Sequence, residues 1–206
     1  MLGLDLYPKN SYIFNMSLII NFFGGPGIGK STQSAQLFTL MKKTHMDVEL
    51  TFEFPKIVAW EENYSAIKDQ FYITANQHRN ISRLYGKVQH IIVDSPIILG
   101  MVYKDRYDSE PSYPASFYDD SFDFFVLGLF KKYNNLNILL KRDDSTYDEN
   151  GRFQNLNESK QIDEDIKNKL ITHNIPFVEF SVGHNTSDDI FNYIKNNTHE
   201  KIPFNS

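Results

Sequence analysis

The run Gly24-Gly25-Pro26-Gly27-Ile28-Gly29-Lys30-Ser31 has the spacing G-x-x-x-x-G-K-[ST] and is followed by Thr32. Glycines let backbone N–H groups turn inward around phosphate oxygens, and a helix starting behind them adds positive potential. Gly25, Pro26, Gly27, Ile28, Gly29, Lys30, Ser31 and Thr32 are therefore expected to hold ATP. In that pattern Lys30 reaches the β- and γ-phosphates and Ser31 can ligate Mg²⁺. The alternative is an ordinary glycine-rich turn.

Two carboxylates stand at the ends of expected strands. Asp94 closes Ile91-Ile92-Val93. There it can hold Mg²⁺ through water or accept a proton from an attacking hydroxyl, and it could equally cap a helix opening at Ser95-Pro96. Glu53 closes the second strand and could orient or deprotonate an acceptor hydroxyl. It could also be a solvated loop acid, like Glu49, Glu61 and Glu62 nearby. Trp60, the one tryptophan, either stacks on a base or packs in the core.

Arg79 and Arg83 lie one helical turn apart and could hold a phosphate or pair with helix acids such as Asp69. His78, just before Arg79 on the same helix, reads as packed or hydrogen-bonded. Arg142 and Arg152 flank a charged stretch where a lid would bring an arginine to the transferring phosphoryl group. A plain surface loop is the other reading.

The elements that must position these residues alternate between strand and helix. Leu18 to Phe23 reads as a strand buried on both faces, and a helix follows from Lys30 to Lys43. Val48 to Phe52 is the second strand, and Trp60 lies on a short helix after it. Ile67 to Tyr85 has helical spacing with Gly86 as its stop. Ile91 to Val93 is the third strand, and Pro96 is expected to open the next helix. Asp105 to Pro114 reads as a loop, Phe117 to Tyr133 as an aromatic core helix, and Leu136 to Leu140 as the fourth strand. Asn155 and Glu158 form a capping box for a helix carrying Ile162, Ile166 and Leu170. Phe177 to Phe180 and a helix from Ser187 to Asn196 complete the series. The expected fold is α/β: a five-stranded parallel sheet with helices on both faces and a lid segment.

With 206 residues, 41% hydrophobic, 15% aromatic and no cysteine, the chain is expected to form one compact domain over 16–206. Residues 1–15 are expected to be an extension, and the lid to span about 141–157. Absent cysteine excludes disulfide scaffolds, Cys zinc sites and thiol nucleophiles. A net charge of −5 and a pI near 5.7 give no global pull toward nucleic acid or membranes, although a local basic patch remains compatible. No apolar run reaches the roughly 18 residues of a membrane span. The first residues do not read as a signal peptide, so a cytoplasmic protein is expected. No N-K-x-D for guanine is present, and Asp94-Ser95-Pro96 lacks the D-x-x-G of GTPase switches. A motor ATPase is disfavoured because Ser95, not a second acid, follows Asp94.

The segments IINFFGGPGIGKST, VELTFEFPKIVAWEE, DQFYITANQHRNISRLYGKV, HIIVDSPI and NGRFQNLNESKQIDEDI together resemble the P-loop kinases of tailed bacteriophages. Among these, the chain is similar to the 5-hydroxymethyluracil DNA kinases, grouped near thymidylate kinase. The resemblance spans about Ser17 to Leu170 and implies a fold of the P-loop nucleoside/nucleotide kinase type. It implies phosphoryl transfer from ATP to the hydroxymethyl group of 5-hydroxymethyluracil in phage DNA, a step in thymine hypermodification. Modified DNA would then be the partner, with a flipped base beside Glu53 and Trp60.

Two other functions fit the residues. The acceptor could be a free nucleoside, a nucleoside monophosphate or nicotinamide riboside, enclosed by Glu53, Trp60 and Arg79. The chain could also be a regulator that binds ATP without transferring phosphate.

Overall fold

In a computed structural model of the chain, the described residues are 16–108, 120–142 and 155–198. Residues 1–15, most of the expected 141–157 lid, Arg152 and the latter part of the expected 105–114 loop lie outside them.

β1 (Leu18–Phe23) has no charged side chain and is buried at every position. It can therefore sit only at the middle of a sheet covered on both faces. It does: the five-stranded order is β2-β3-β1-β4-β5, with β2 at Val48–Thr51, β3 at His90–Val93, β4 at Asn134–Lys141 and β5 at Val178–Ser181. All pairings are parallel, with Leu18 opposite both His90 and Asn134.

The two-residue period of β1 divides the core. Ile19 and Phe23 face a cluster with Ile91, Val93, Phe122, Ile162 and Leu170, while Ile20 and Phe22 face one with Leu37, Met41, Ile92, Ile190 and Ile194. Helices α4 (Gln70–Ser82), α5 (Leu99–Asp108), α6 (Asp120–Phe130) and α7 (Leu156–Thr172) supply the first face. Helices α1 (Lys30–Lys43) and α8 (Thr186–Thr198) supply the second. Because the chain leaves β1 toward β2 and later crosses to β4 on the other side, strand order reverses beside β1. The crevice at the carboxyl ends of the strands opens there.

Several boundaries differ from expectation. The helix expected over 67–85 is two, α3 (Tyr64–Lys68) and α4, because Asp69 between them takes an extended ψ of 91° and its carboxylate accepts from Tyr72 N–H. Pro96 does not start a helix: its carbonyl accepts from Leu99 N–H in a turn, and α5 begins at Leu99. Residues 105–108, expected in a loop, belong to α5. Ion pairs hold this polar end: Lys104 and Lys169 reach Asp123 at 2.8 and 3.2 Å, Lys169 reaches Asp105 at 2.8 Å, and Arg106 reaches Asp165 at 2.8 Å. Asn155 and Glu158 form the expected capping box of α7.

Candidate functional site

The loop from Gly24 to Gly29 runs between β1 and α1, at the mouth of the crevice. Gly29 is the residue before α1 and takes φ 96°, a left-handed geometry that a β-carbon opposes. α1 has no side-chain cap and no acid in its first turn. No side chain among the described residues accepts from the N–H groups of Gly27, Ile28, Gly29 or Lys30. These donors and the positive helix end are thus left for an anion. Lys30 folds over the loop, its ammonium donating to the carbonyls of Gly24 at 2.7 Å and Gly25 at 3.1 Å. Ser31 and Thr32 are exposed on the first turn of α1.

β3 delivers Asp94 beside this loop. Asp94 is buried, at 4% exposure, and its Oδ1 has no hydrogen-bond partner. It does not cap a helix, since α5 starts five residues later. A buried carboxylate oxygen without a partner is costly, and it fits a site for a hard cation. Among the described residues no three His, Cys, Asp or Glu side chains converge. Mg²⁺ needs no such cage, because it is usually held by one or two protein oxygens plus phosphates and water. Ser31 and Asp94 are the residues that could hold it.

β2 delivers Glu53, whose side chain does not cap α2 (Phe54–Trp60). Burial pushes its carboxyl above the ordinary 4.5, Lys30 and Lys56 pull it back, and Asp94 adds to the rise. Glu53, at the end of β2, thus feels the charges of both Lys30 and Asp94. Such a carboxyl keeps part of its basicity for proton transfer.

Trp60 is 81% exposed, which removes the core-packing alternative. Phe52 just after β2, Ile57 on α2 and Tyr64 on α3 are exposed with it and make a largely aromatic apron on the Glu53 side of the crevice. Arg79 and Arg83 are not brought to the site. Both are exposed at the end of α4, and that end lies toward the amino ends of the strands, away from the crevice, where Gly86 N–H donates to Ser17 before β1 begins. His78 contacts the Tyr133 hydroxyl at 2.7 Å, a packing role as expected. Arg142 sits beside the phosphate loop rather than out on a surface segment. Its Nε donates to Asp163 at 2.8 Å and its terminal nitrogen to the Pro26 carbonyl at 2.9 Å.

Asp163 was not singled out from the sequence. Its Oδ1 accepts from Gly25 N–H at 2.5 Å. A weak signal existed: Ser159 and Asp163 are one turn apart and border the Ile162, Ile166, Leu170 stripe of α7, so part of their surface had to be covered. Also missed was the buried polar edge of α4. There Gln77 donates to Ser95 at 2.8 Å while Gln77 Oε1 and Thr74 Oγ1 have no partner.

The chain is 32% identical over 101 residues to a thymidylate kinase of Dehalococcoides mccartyi, covering 44% of this chain. The match spans about half of that relative, 47% of its length. The structure of the NadR protein in complex with NR superposes with a TM-score of 0.64 at 16% identity, over 89% of this chain and 51% of that one. Deoxyadenosine kinase from M. mycoides with bound dATP superposes with a TM-score of 0.63 at 18% identity, over 86% and 98%. These likenesses show a P-loop nucleoside kinase-like fold. Residues 19–186 match the family described as AAA domain, and with most of its length inside that match the chain belongs to the AAA domain family.

Proposed function

We propose that the chain is a P-loop kinase that transfers the γ-phosphoryl group of ATP to a hydroxyl of a nucleoside-type acceptor. The observation that carries this reading is Lys30 folded over a loop with unengaged amides, with the buried, unpartnered carboxylate of Asp94 at the end of the neighbouring strand. Phosphoryl transfer needs positioning and charge neutralisation more than covalent chemistry, and each residue has one such task. The amides of Gly27 to Ser31 hold the phosphates, and Lys30 turns from the Gly24 and Gly25 carbonyls onto the β- and γ-oxygens. When bound through Ser31 and Asp94, Mg²⁺ would neutralise charge on those oxygens. Glu53 accepts the proton of the acceptor hydroxyl, and its raised pKa suits that exchange.

For the acceptor we carry forward the hydroxymethyl group of 5-hydroxymethyluracil in DNA. The apron of Phe52, Trp60 and Tyr64 beside Glu53 supports it, since an exposed aromatic platform suits a base presented by a polymer. A free nucleoside or nucleoside monophosphate is the second reading. It is favoured by the unpaired Gln77 Oε1 on α4, which asks for a donor on a small enclosed ligand. It is also favoured by the thymidylate and deoxyadenosine kinase relatives.

The test is transfer of γ-labelled phosphate from ATP to duplex DNA with 5-hydroxymethyluracil, to unmodified DNA, and to free nucleosides, nicotinamide riboside and monophosphates. Label on the modified DNA alone supports the first acceptor, and label on a monomer replaces it with the second. ATP binding with no label in any pool overturns the kinase reading in favour of a regulator.

A further inference from the structure

The phosphate loop is gripped from outside by a residue 138 positions further along the chain. Asp163 uses both carboxylate oxygens. Oδ1 accepts from Gly25 N–H at 2.5 Å, and Oδ2 accepts from Arg142 Nε at 2.8 Å. Arg142 then closes the ring by donating to the Pro26 carbonyl at 2.9 Å. The side chains are well shielded, with Arg142 at 7% and Asp163 at 18% exposure, so this is not a solvated surface pair. The fit of α7 against the loop is close: a β-carbon on Gly25 would stand 2.7 Å from Asp163 Oδ1 and 2.8 Å from the Ser159 carbonyl.

We propose that Asp163 is a positioning residue of the nucleotide site, setting the entry of the phosphate loop by holding Gly25 directly and Pro26 through Arg142. The proposal rests on the kinase reading above and adds a residue to it. The grip engages the donor of Gly25 and the acceptor of Pro26, and it leaves the amides from Gly27 onward to the ligand. A loop fixed at its entry needs less ordering when phosphate arrives, and small misplacements of such a cradle are costly. The guanidinium of Arg142 also offsets the Asp163 charge, which would otherwise face an incoming polyphosphate unpaired. Arg142 is thereby part of the loop's support.

The test uses the full chain with Mg²⁺ and calorimetric binding of two probes, ATP and tripolyphosphate; the second reads the loop without a base. Asp163→Ala is expected to weaken both by the same factor, about 10- to 100-fold, the scale of a displaced binding group. Asp163→Asn keeps an acceptor for Gly25 but sets an amide donor against Arg142, so it should fall between wild type and Asp163→Ala. It also serves as the readout if Asp163→Ala does not fold. A loss confined to ATP overturns the proposal, because it would locate the effect at the base. Unchanged affinity overturns it, as does tighter binding, which would make the contact inhibitory. If wild-type chain binds neither probe, the kinase reading fails and this proposal with it; if wild type binds and both variants match it, only the proposal fails.

Discussion

Gly25 and Asp163 meet so closely that the carboxylate Oδ1 lies 2.5 Å from the glycine nitrogen. The site of a missing β-carbon on Gly25 is filled by Asp163 Oδ1 at 2.7 Å and by the Ser159 carbonyl at 2.8 Å. The side chain could swing away, but the carbonyl is helix backbone and can move only with α7. Gly25→Ala is therefore expected to destabilise the chain by about 1–3 kcal/mol, the usual cost of overpacking. Thermal melting should show a fall of several degrees, with weaker ATP binding in the folded fraction.

Removing the ammonium in Lys30→Ala should leave the fold intact, since its partners are two loop carbonyls at the crevice mouth. Turnover should fall by about 10²–10³-fold, the scale for losing one donor aimed at developing charge. Steady-state transfer with γ-labelled ATP measures it, and unchanged turnover would remove Lys30 from the site.

Glu53 carries a pH signature. Its carboxyl is raised above 4.5 chiefly by burial. The rising limb of kcat/KM against pH should therefore lie above the ordinary carboxylate range. Lys30 lowers this pKa and Asp94 raises it, so Lys30→Met should move the limb up and Asp94→Asn should move it down. For stability, a raised folded pKa means that protonated Glu53 favours folding fully below about pH 4.5 and that this contribution is lost as pH rises through the folded value. Glu53→Gln should thus melt higher than wild type at pH 7, with the gap closing in acid, while turnover drops about 10²–10⁴-fold. Equal melting temperatures at both pH values would contradict the assigned burial.

Asp94→Asn should separate metal dependence from folding. Its Oδ1 has no partner to lose, so melting should be unchanged or slightly raised, whereas loss of a charged metal ligand should raise the Mg²⁺ concentration for half-maximal rate. A titration of rate against Mg²⁺ reads this, and a wild-type curve would take Asp94 out of the metal site.

Trp60 provides a direct acceptor probe, being the one tryptophan in the chain and 81% exposed. Its emission should be solvent-like and quenched by acrylamide. An acceptor base that stacks on it should change that emission, while ATP alone should not. Trp60→Ala should alter stability by less than about 0.5 kcal/mol. It should weaken acceptor binding by about 1–3 kcal/mol, the scale of one base–aromatic stack.

Short-range patterns in the sequence determined much of this protein. The uncharged run Leu18–Phe23, the glycine loop and Lys30–Lys43 are legible because burial on both faces, glycine spacing and helical periodicity act over a few residues. The capping box at Asn155 and the placing of Asp94 and Glu53 at strand ends follow from equally local rules. The break at Asp69 was also local, but a capping aspartate inside an otherwise helical apolar period does not announce itself. Only the tertiary structure decided the rest. Residues 105–108 stay helical because Lys169 and Asp165, on α7, pair with Asp105 and Arg106. Arg79 is excluded from the site by the direction of α4, and Trp60 is left in solvent because α2 turns Val58, not Trp60, inward. Asp163 reaches Gly25 because parallel strands β1 and β4 lie side by side, bringing Arg142 at the end of one to the loop that leaves the other. A contact between residues 138 positions apart leaves no period or spacing in the sequence, since it depends on how sheet and helix pack and on no single segment's own preference.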